Sequence, residues 1–325
     1  SLAPAAQVAA QDRPGISILR DRFARRPSGP VQRGMARLDA EDLPGARAAF
    51  EEAIRLNPRD AVAMYYLGAT LHRQGELQAA EQRYRAAIRI DGRRPAVHND
   101  LGLLLRQTER LPDAITSLRR AVQLRRDFGE AHYNLAMALE EHGDVDAAES
   151  SYRDAVRLLP REPMARANLG LLLVGRGERE PAARLFREAL PMARRNRAVL
   201  LALGNGLRRA GDAAGAVEAL RLAVATGGDP TPALLTELAL AELASGDRPA
   251  AERSARRAIG VDPRYPMAHY VLGSMLAARA AYADALTEMQ RFLELEPSGE
   301  RAEEARRRVE AIRQAMRAGS RRRGR

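Results

Sequence analysis

Five histidines are the side chains of this sequence best suited to metal binding or proton transfer. They are His72, His98, His132, His142 and His269, and His98 and His132 are 34 residues apart. Neutral imidazole is a common metal ligand and titrates near neutral pH. The chain contains no Cys, which excludes disulfides, thiolate catalysis and zinc sites built from cysteine. Whether the histidines can act together depends on the elements that carry them.

Other motifs with catalytic or cofactor chemistry lack the context that they need. Gly204-Asn205-Gly206 is glycine-rich, but it lies in a helical pattern and no strand precedes it, as a dinucleotide fold would require. A Walker loop requires Lys, and all 53 basic residues of this chain are Arg. There is no nucleophile elbow and no carboxylate pair beyond ordinary helix-surface Glu. The sequence therefore predicts no enzyme activity and no cofactor.

The elements that carry these residues recur with a period of 34 residues. Small and bulky side chains each return at this spacing, with one inserted residue before residue 239. The small series is Gly34, Gly68, Gly102, Ala136, Gly170, Gly204, Ala239 and Gly273. The bulky series is Phe50, Tyr84, Leu118, Tyr152, Phe186, Leu220 and Met289, with the small Ala255 at this position of the seventh repeat. A fixed period of this length is typical of a repeat architecture.

Within one period the apolar residues follow helical spacing. Leu67, Gly68 and Leu71 share one face of a first helix, and Tyr84 lies on a second helix after the turn at Gly75. This pattern predicts two helices joined by a tight turn. Gly or Ala at the crossing allows the two helices to approach closely, and the bulky residue fills the space beside them.

The pattern resembles the tetratricopeptide repeat family, which shows the same order of small residue, Ala, bulky aromatic, Ala and terminal Pro. The resemblance implies an all-α, right-handed superhelical solenoid of helix-turn-helix hairpins with a C-terminal capping helix. We expect eight repeats, at 27–60, 61–94, 95–128, 129–162, 163–196, 197–231, 232–265 and 266–299. Residues 1–26 are expected to form an extension with a short basic amphipathic helix, residues 300–318 the capping helix, and residues 319–325 a basic disordered tail.

The repeat register accounts for three of the histidines. His98, His132 and His269 occupy the fourth position of their repeats, where the family packs one hairpin against another. Equivalent positions in neighbouring repeats are separated by about a helix-packing distance, roughly 8–10 Å or more. One ion with ligand bonds of about 2 Å cannot be shared across that gap. We therefore expect these imidazoles to pack, and we expect no metal site.

The resemblance also implies that the first helix of each repeat lines a concave groove, with its fifth and sixth positions facing inward. No fifth-position residue is basic, which disfavours the family's carboxylate clamp for acidic chaperone tails. The groove is expected to bind a protein segment, because tyrosines and mixed charges suit one better than a polyanion. The predicted partner-binding residues are Tyr65, Tyr66, Arg73, Asn99, Asp100, Arg106, Tyr133, Asn134 and Asn168.

Three of these residues, Asp100, Asn134 and Asn168, recur at the sixth position. They resemble the asparagine ladder in the repeat domain of O-GlcNAc transferases. An amide both donates and accepts hydrogen bonds, so a row of amides could hold an extended peptide backbone without reading its side chains. The alternative is that Asn is common at this position and meets only solvent.

Repeats six to eight differ from this zone. Leu201, Leu240 and Val271 make their inner surface more apolar, and they form a candidate helix-docking surface. The inserted residue falls in the segment 226–232, which contains two Gly and two Pro. We expect a bend or a hinge there.

The net charge of +11 is concentrated at the two ends of the chain. Residues 1–27 carry +3 and residues 300–325 carry +6, so the repeats are close to neutral. Near the N-terminus, Ile16, Leu19 and Phe23 share one helical face among arginines. This extension could dock on the repeats, contact an anionic membrane or bind a second copy.

These observations favour a scaffold or assembly factor that holds a peptide segment or subunit of a bacterial multiprotein complex. Two alternatives stay open: a basic-ended adaptor for nucleic acid or an anionic membrane surface, and a regulatory subunit of an enzyme on another chain. Nucleic acid is the less favoured partner, and the oligomeric state is open. The chain begins Ser-Leu-Ala-Pro without Met, so we expect a processed or shortened chain. A removed signal peptide would favour the periplasm or cell envelope over the cytoplasm.

Overall fold

The structure, a computed structural model of the chain, describes residues 29–323, with side chains up to residue 318. These described residues form 17 α-helices and no strand, which confirms the predicted all-α class. The described residues divide into two compact units, the first ending at Leu172 and the second beginning at Leu173. The predicted N-terminal extension, with Ile16, Leu19 and Phe23, lies outside the described residues.

The N-terminal unit contains four helical hairpins and most of one further helix. Its helices are α1 (Gly29–Asp39), α2 (Leu43–Leu56), α3 (Ala61–Arg73), α4 (Leu77–Ile90), α5 (Pro95–Gln107), α6 (Leu111–Leu124), α7 (Gly129–His142), α8 (Val145–Leu158) and α9 (Pro163–Gly175), the last of which ends in the second unit. The first helices α1, α3, α5 and α7 contact one another in succession. With the start of α9 they make one side of this unit, which we call the first-helix face.

The C-terminal unit contains three complete hairpins between α10 and a long last helix. Its helices are α10 (Arg179–Ala193), α11 (Arg197–Arg209), α12 (Ala213–Ala225), α13 (Pro232–Ala244), α14 (Arg248–Val261), α15 (Pro266–Ala278), α16 (Tyr282–Leu295) and α17 (Glu300–Arg323). In α17, Ala305, Val309 and Ile312 are buried, and the helix packs on α16. This helix includes residues 319–323, Gly-Ser-Arg-Arg-Arg, for which the sequence predicts a disordered tail.

Side-chain caps fix where many of these helices begin. Asp60 accepts hydrogen bonds from the backbone N–H groups of Val62 and Ala63, at 2.9 and 3.0 Å. Asp212 and Asp247 cap α12 and α14 in the same way. Each cap satisfies N–H groups that have no partner inside the helix, so the short polar loops set the helix boundaries.

A close crossing of its two helices holds each hairpin together. A Cβ atom at Gly102 would lie 2.5 Å from Cγ of Leu118, and one at Gly68 would lie 2.8 Å from the ring of Tyr84. Real Cβ atoms do not approach other atoms so closely. The recurring small residue is therefore required by the bulky side chain opposite it, as the sequence pattern predicts.

The turn inside each hairpin uses one residue with left-handed backbone. Gly75 and Gly143 have φ angles of 81° and 90°, and Glu109 occupies the equivalent position with φ of 59°. Glycine adopts this conformation without the steric cost that other residues carry. The turn geometry is thus the same whether or not the position holds Gly.

The segment 226–231 contains the inserted residue and is bound to α11. The Arg197 guanidinium donates to the backbone carbonyls of Ala223, Gly228 and Asp229, at 3.2, 2.7 and 3.1 Å. Thr226 also donates to the Arg194 carbonyl at 3.3 Å. The Arg197 guanidinium and the Thr226 hydroxyl therefore anchor the segment in which we expect a bend.

Substitution of Gly102 by Ala should destabilise the chain by about 1–3 kcal/mol, because the new methyl group overpacks against Leu118. The measurement is urea unfolding followed by circular dichroism. The matched control is Gly260→Ala in α14, where a Cβ atom meets nothing within 4 Å and helix propensity should stabilise the chain by up to ~1 kcal/mol. Adding Leu118→Ala to Gly102→Ala should cost less than the two single changes together. Equal effects of the two Gly→Ala changes would contradict the close-crossing argument.

Candidate functional site

A chain of buried polar side chains crosses the first helices α3, α5 and α7. The Tyr65 hydroxyl donates to Oδ2 of Asp100 at 2.8 Å, and Nδ2 of Asn99 donates to Oδ1 of Asp100 at 3.0 Å. Nδ2 of Asn134 then donates to Oδ1 of Asn99 at 2.9 Å. All four side chains are buried, Asn99 and Asp100 completely. A buried network whose members are bonded holds its helices in one arrangement.

The carboxylate of Asp100 sets the direction of this chain. An ionised carboxylate only accepts hydrogen bonds, so Asn99 must turn its amide nitrogen toward Asp100 and its oxygen toward Asn134. Asn134 must in turn direct its nitrogen inward. Its Oδ1 accepts from none of residues 29–323 and is not a buried atom without a partner. The hydrogen-bond network therefore ends at Oδ1 of Asn134, an acceptor that solvent can reach.

Burial raises the pKa of Asp100 to about 7, and the hydrogen bonds from Tyr65 and Asn99 oppose that rise. The physical cause is the loss of water around a charged group in the interior. Asp100 thus changes its charge near neutral pH, inside a network that depends on its accepting hydrogen bonds at both oxygens.

Another amide side chain, that of Asn168 on α9, lies beside this hydrogen-bond network. Nδ2 of Asn168 donates to the Tyr133 hydroxyl at 3.0 Å, and the Tyr133 ring lies 6.0 Å from the ring of Tyr152. The Tyr152 hydroxyl donates to Glu140 at 2.7 Å. Burial raises the pKa of Tyr133 to about 12, so this hydroxyl stays neutral. Oδ1 of Asn168 accepts from none of the side chains or backbone groups that the structure describes.

The two arginines predicted for the groove, Arg73 and Arg106, have different surroundings. Arg106 donates to Glu141 at 2.6 Å across α5 and α7, so these two charges neutralise one another. Arg73 is exposed at the end of α3 and forms no ion pair within residues 29–318. The arginine of the first-helix face that is available to a partner is therefore Arg73.

The structure separates the predicted groove residues into two groups. Tyr133, Asn134, Asn168, Arg73 and Arg106 keep part of their surface or a polar atom accessible, whereas Tyr65, Tyr66, Asn99 and Asp100 are buried. The expectation that these four face a partner is corrected by their burial.

The burial of the two tyrosines has a packing cause. Tyr66 stacks on Phe50 with ring centroids 5.6 Å apart, and Tyr65 lies 6.1 Å from Tyr84. Both rings fill the core between the second helices α2 and α4. Tyr65 and Tyr66 therefore support the first-helix face from within.

The apolar residues predicted for the C-terminal unit are only partly together. Leu240 and Val271 line one cavity of about 370 Å³, and Leu201 does not. Val271 is 4% exposed, while Leu201 and Leu240 are half-buried. The cavity is also lined by Arg248, Arg279 and Arg308. The sequence reasoning missed these arginines because they lie at helix ends and in the capping helix, outside the register positions considered for the groove.

The three histidines of the fourth position make one kind of bond. Nε2 of His98, His132 and His269 donates to a backbone carbonyl six residues earlier, at 3.1, 3.0 and 3.0 Å. Each ring thereby ties its helix to the loop before it. Burial lowers the pKa of His98, which keeps that ring neutral at neutral pH. Within residues 29–318 no group of three or more His, Asp or Glu side chains could hold a metal ion.

No helix in the described part of the chain is both long enough and apolar enough to cross a membrane. The described helices form an all-α solenoid of repeated hairpins.

The tetratricopeptide repeat profile matches residues 31–95, 99–163 and 236–300, and a second profile of the same repeat matches residues 164–196. The chain belongs to the tetratricopeptide repeat family, as the sequence pattern predicts. Members of this family are typically protein-interaction scaffolds, and the chain is a protein-interaction scaffold.

Solved structures show the same fold at low sequence identity. PilF of Pseudomonas aeruginosa is similar at 21% identity and a TM-score of 0.54, over 60% of this chain and 89% of that chain. A tetratricopeptide repeat protein from Parabacteroides merdae gives 18% and 0.52, over 76% and 97% of the two chains. Yeast Tom70 gives 18% and 0.50, over 91% and 66%. No curated protein sequence matches the chain.

Replacing Asp100 by Asn tests the buried network. Because the folded pKa of Asp100 lies above the ordinary value of 3.8, its ionisation opposes folding, and stability should fall as pH rises from about 4 to 7. The loss can reach about 4 kcal/mol for a fully buried group. Asp100→Asn removes this titration, so the difference in unfolding free energy between the wild type and the variant should change over that pH range.

The measurement is urea unfolding at several pH values between 4.5 and 7.5. Asp127→Asn is the control, because Asp127 is exposed in the loop between α6 and α7. Parallel pH profiles for the wild type and Asp100→Asn would show that Asp100 does not titrate in this range.

Proposed function

We propose that the first-helix face of the N-terminal unit binds an extended segment of a partner protein through the backbone of that segment. Asn134 and Asn168 make the central contacts, Tyr133 lies between them, and Arg73 contributes at the edge. The observation that carries the proposal is that both amides direct their nitrogens into the protein. Their oxygens are left as acceptors for a donor from outside.

Backbone N–H groups fit these acceptors better than side chains do. Every non-proline residue carries one N–H donor, and an extended segment presents such donors at a regular spacing. Recognition of this kind does not depend on the sequence of the partner. A protonated side chain would also supply donors, but an extended backbone supplies several in one line.

The charges of this face support a protein partner over nucleic acid. Arg106 is paired with Glu141, and the hydroxyl of Tyr152 holds Glu140. With Arg73 as its available arginine, the face lacks the row of cations that phosphate backbones require. On this basis the chain is a scaffold or assembly factor that holds a segment of a multiprotein complex. Its use of Arg in place of Lys, which is typical of a GC-rich genome, favours a bacterial source.

The test begins with peptides selected from a random library on the full chain and measured by fluorescence anisotropy. Asn134→Ala combined with Asn168→Ala should weaken binding by at least about tenfold, since two hydrogen bonds of roughly 1 kcal/mol each are lost. Replacement of Gln82 and Gln123 by Ala is the matched control. Both are exposed amides on second helices of the same unit, and affinity should not change.

N-methylation of the selected peptide separates backbone from side-chain recognition. Methylation of the backbone nitrogens that face the amides should abolish binding, while Ala replacement of most peptide side chains should have little effect. Full binding by the N-methylated peptide, or an unchanged affinity of the double Asn variant that melts like the wild type, would refute the proposal.

A further inference from the structure

The cavity of the C-terminal unit combines an apolar floor with a cationic rim. Leu240 and Leu243 of α13 and Val271 and Met275 of α15 form the floor of this space of about 370 Å³. A volume of this order is in the range of pockets that hold a small ligand or a few side chains. The floor alone would suit many apolar groups, so the rim decides what the cavity can select.

Three arginines and one glutamate lie on the rim. Arg248 is exposed at the start of α14 and forms no ion pair within residues 29–318. Arg279 and Arg308 have side chains 51% and 42% exposed, whereas that of Glu252 is only 17% exposed. Glu252 is bonded to Arg256 at 2.5 Å and to Arg279 at 3.1 Å. Arg279 is paired with Glu252 and Arg308 with Glu304, so the rim keeps one unpaired positive charge, on Arg248.

Arg308 is held in place over the floor. Its guanidinium donates to Oγ of Ser274 at 3.0 Å and to Glu304 at 2.7 Å. It also lies 5.4 Å from the centre of the Tyr270 ring, within the range of a cation–π contact. The capping helix α17 thus supplies one wall of the cavity as well as covering α16.

We propose that this cavity is a second binding site, for a protein segment in which an apolar side chain is flanked by carboxylates. The apolar side chain enters between α13 and α15. The carboxylates meet Arg248 and Arg308, which have donors to spare. Charge complementarity selects this occupant over a basic amphipathic segment, and the site is independent of the first-helix face.

The probe is a fluorescein-labelled peptide with one Leu between two pairs of Glu, measured by anisotropy against the full chain. Arg248→Glu should weaken its binding at least tenfold by reversing a rim charge. Ala278→Phe should also weaken it at least tenfold, because Ala278 lines the cavity and the larger side chain occupies the space without a charge change. Binding should weaken as salt rises, since the rim arginines are exposed.

Matched variants and probes make the result specific. Arg253→Glu makes the same charge change on an exposed residue of α14 that does not line the cavity, and it should change affinity less than twofold. A probe with Gln in place of Glu and a probe with Ala in place of Leu should each bind at least tenfold more weakly. The double Asn134 and Asn168 variant should bind the probe like the wild type.

Several outcomes would overturn the inference. If the Gln probe bound as tightly as the Glu probe, the rim charges would not contribute to recognition. If the Ala278→Phe variant bound the Glu probe like the wild type, the cavity would not be the binding site. If N-acetylglutamate displaced the labelled peptide at concentrations similar to those of the peptide, the cavity would be a general anion site that does not recognise a protein segment.

Discussion

The close approach of two helices at a small residue, which makes room for one bulky side chain of the opposite helix, is the constraint on which this structure depends. Gly68 and Gly102 leave room for Tyr84 and Leu118, and the same contact of a small residue with a bulky one recurs along the chain. Because the bulky side chain of the second helix packs inside the hairpin, the opposite side of each first helix takes no part in that contact. Polar residues such as Asn134 and Asn168 can therefore occupy that side without a cost to the core.

The polar residues of the first helices perform two tasks that their sequence positions do not distinguish. Asp100 and Asn99 are buried and orient their neighbours, whereas Asn134 and Asn168 end the hydrogen-bond chains with a spare oxygen. A carboxylate in the interior is costly when it is charged. Here, when ionised, it also determines which end of the Asn99 and Asn134 amides faces outward, so a buried carboxylate influences the chemistry of the surface.

The sequence predicts the hairpins well because their cause is local and repeated. The 34-residue spacing of Gly34, Gly68 and Gly102 records the helix crossings, and the turns at Gly75 and Gly143 follow the same period. Burial at the groove positions could not be predicted, because it depends on contacts between hairpins. Tyr66 is buried since Phe50 lies against it, and Arg308 reaches the cavity from a helix that follows the last repeat.

Several side-chain contacts of the N-terminal unit join residues that are 35 positions apart. The hydrogen-bonded pairs are Tyr65 with Asp100, Asn99 with Asn134, Arg106 with Glu141, and Tyr133 with Asn168. Because the repeat is 34 residues long, the two residues of each pair occupy repeat positions that differ by one. Repeats two, three and four are thus each fitted to the particular neighbour that follows. A part of the array whose backbone suggests interchangeable modules has in this way acquired a fixed order, and exchanging two of these repeats would break hydrogen bonds between neighbours while leaving each hairpin intact.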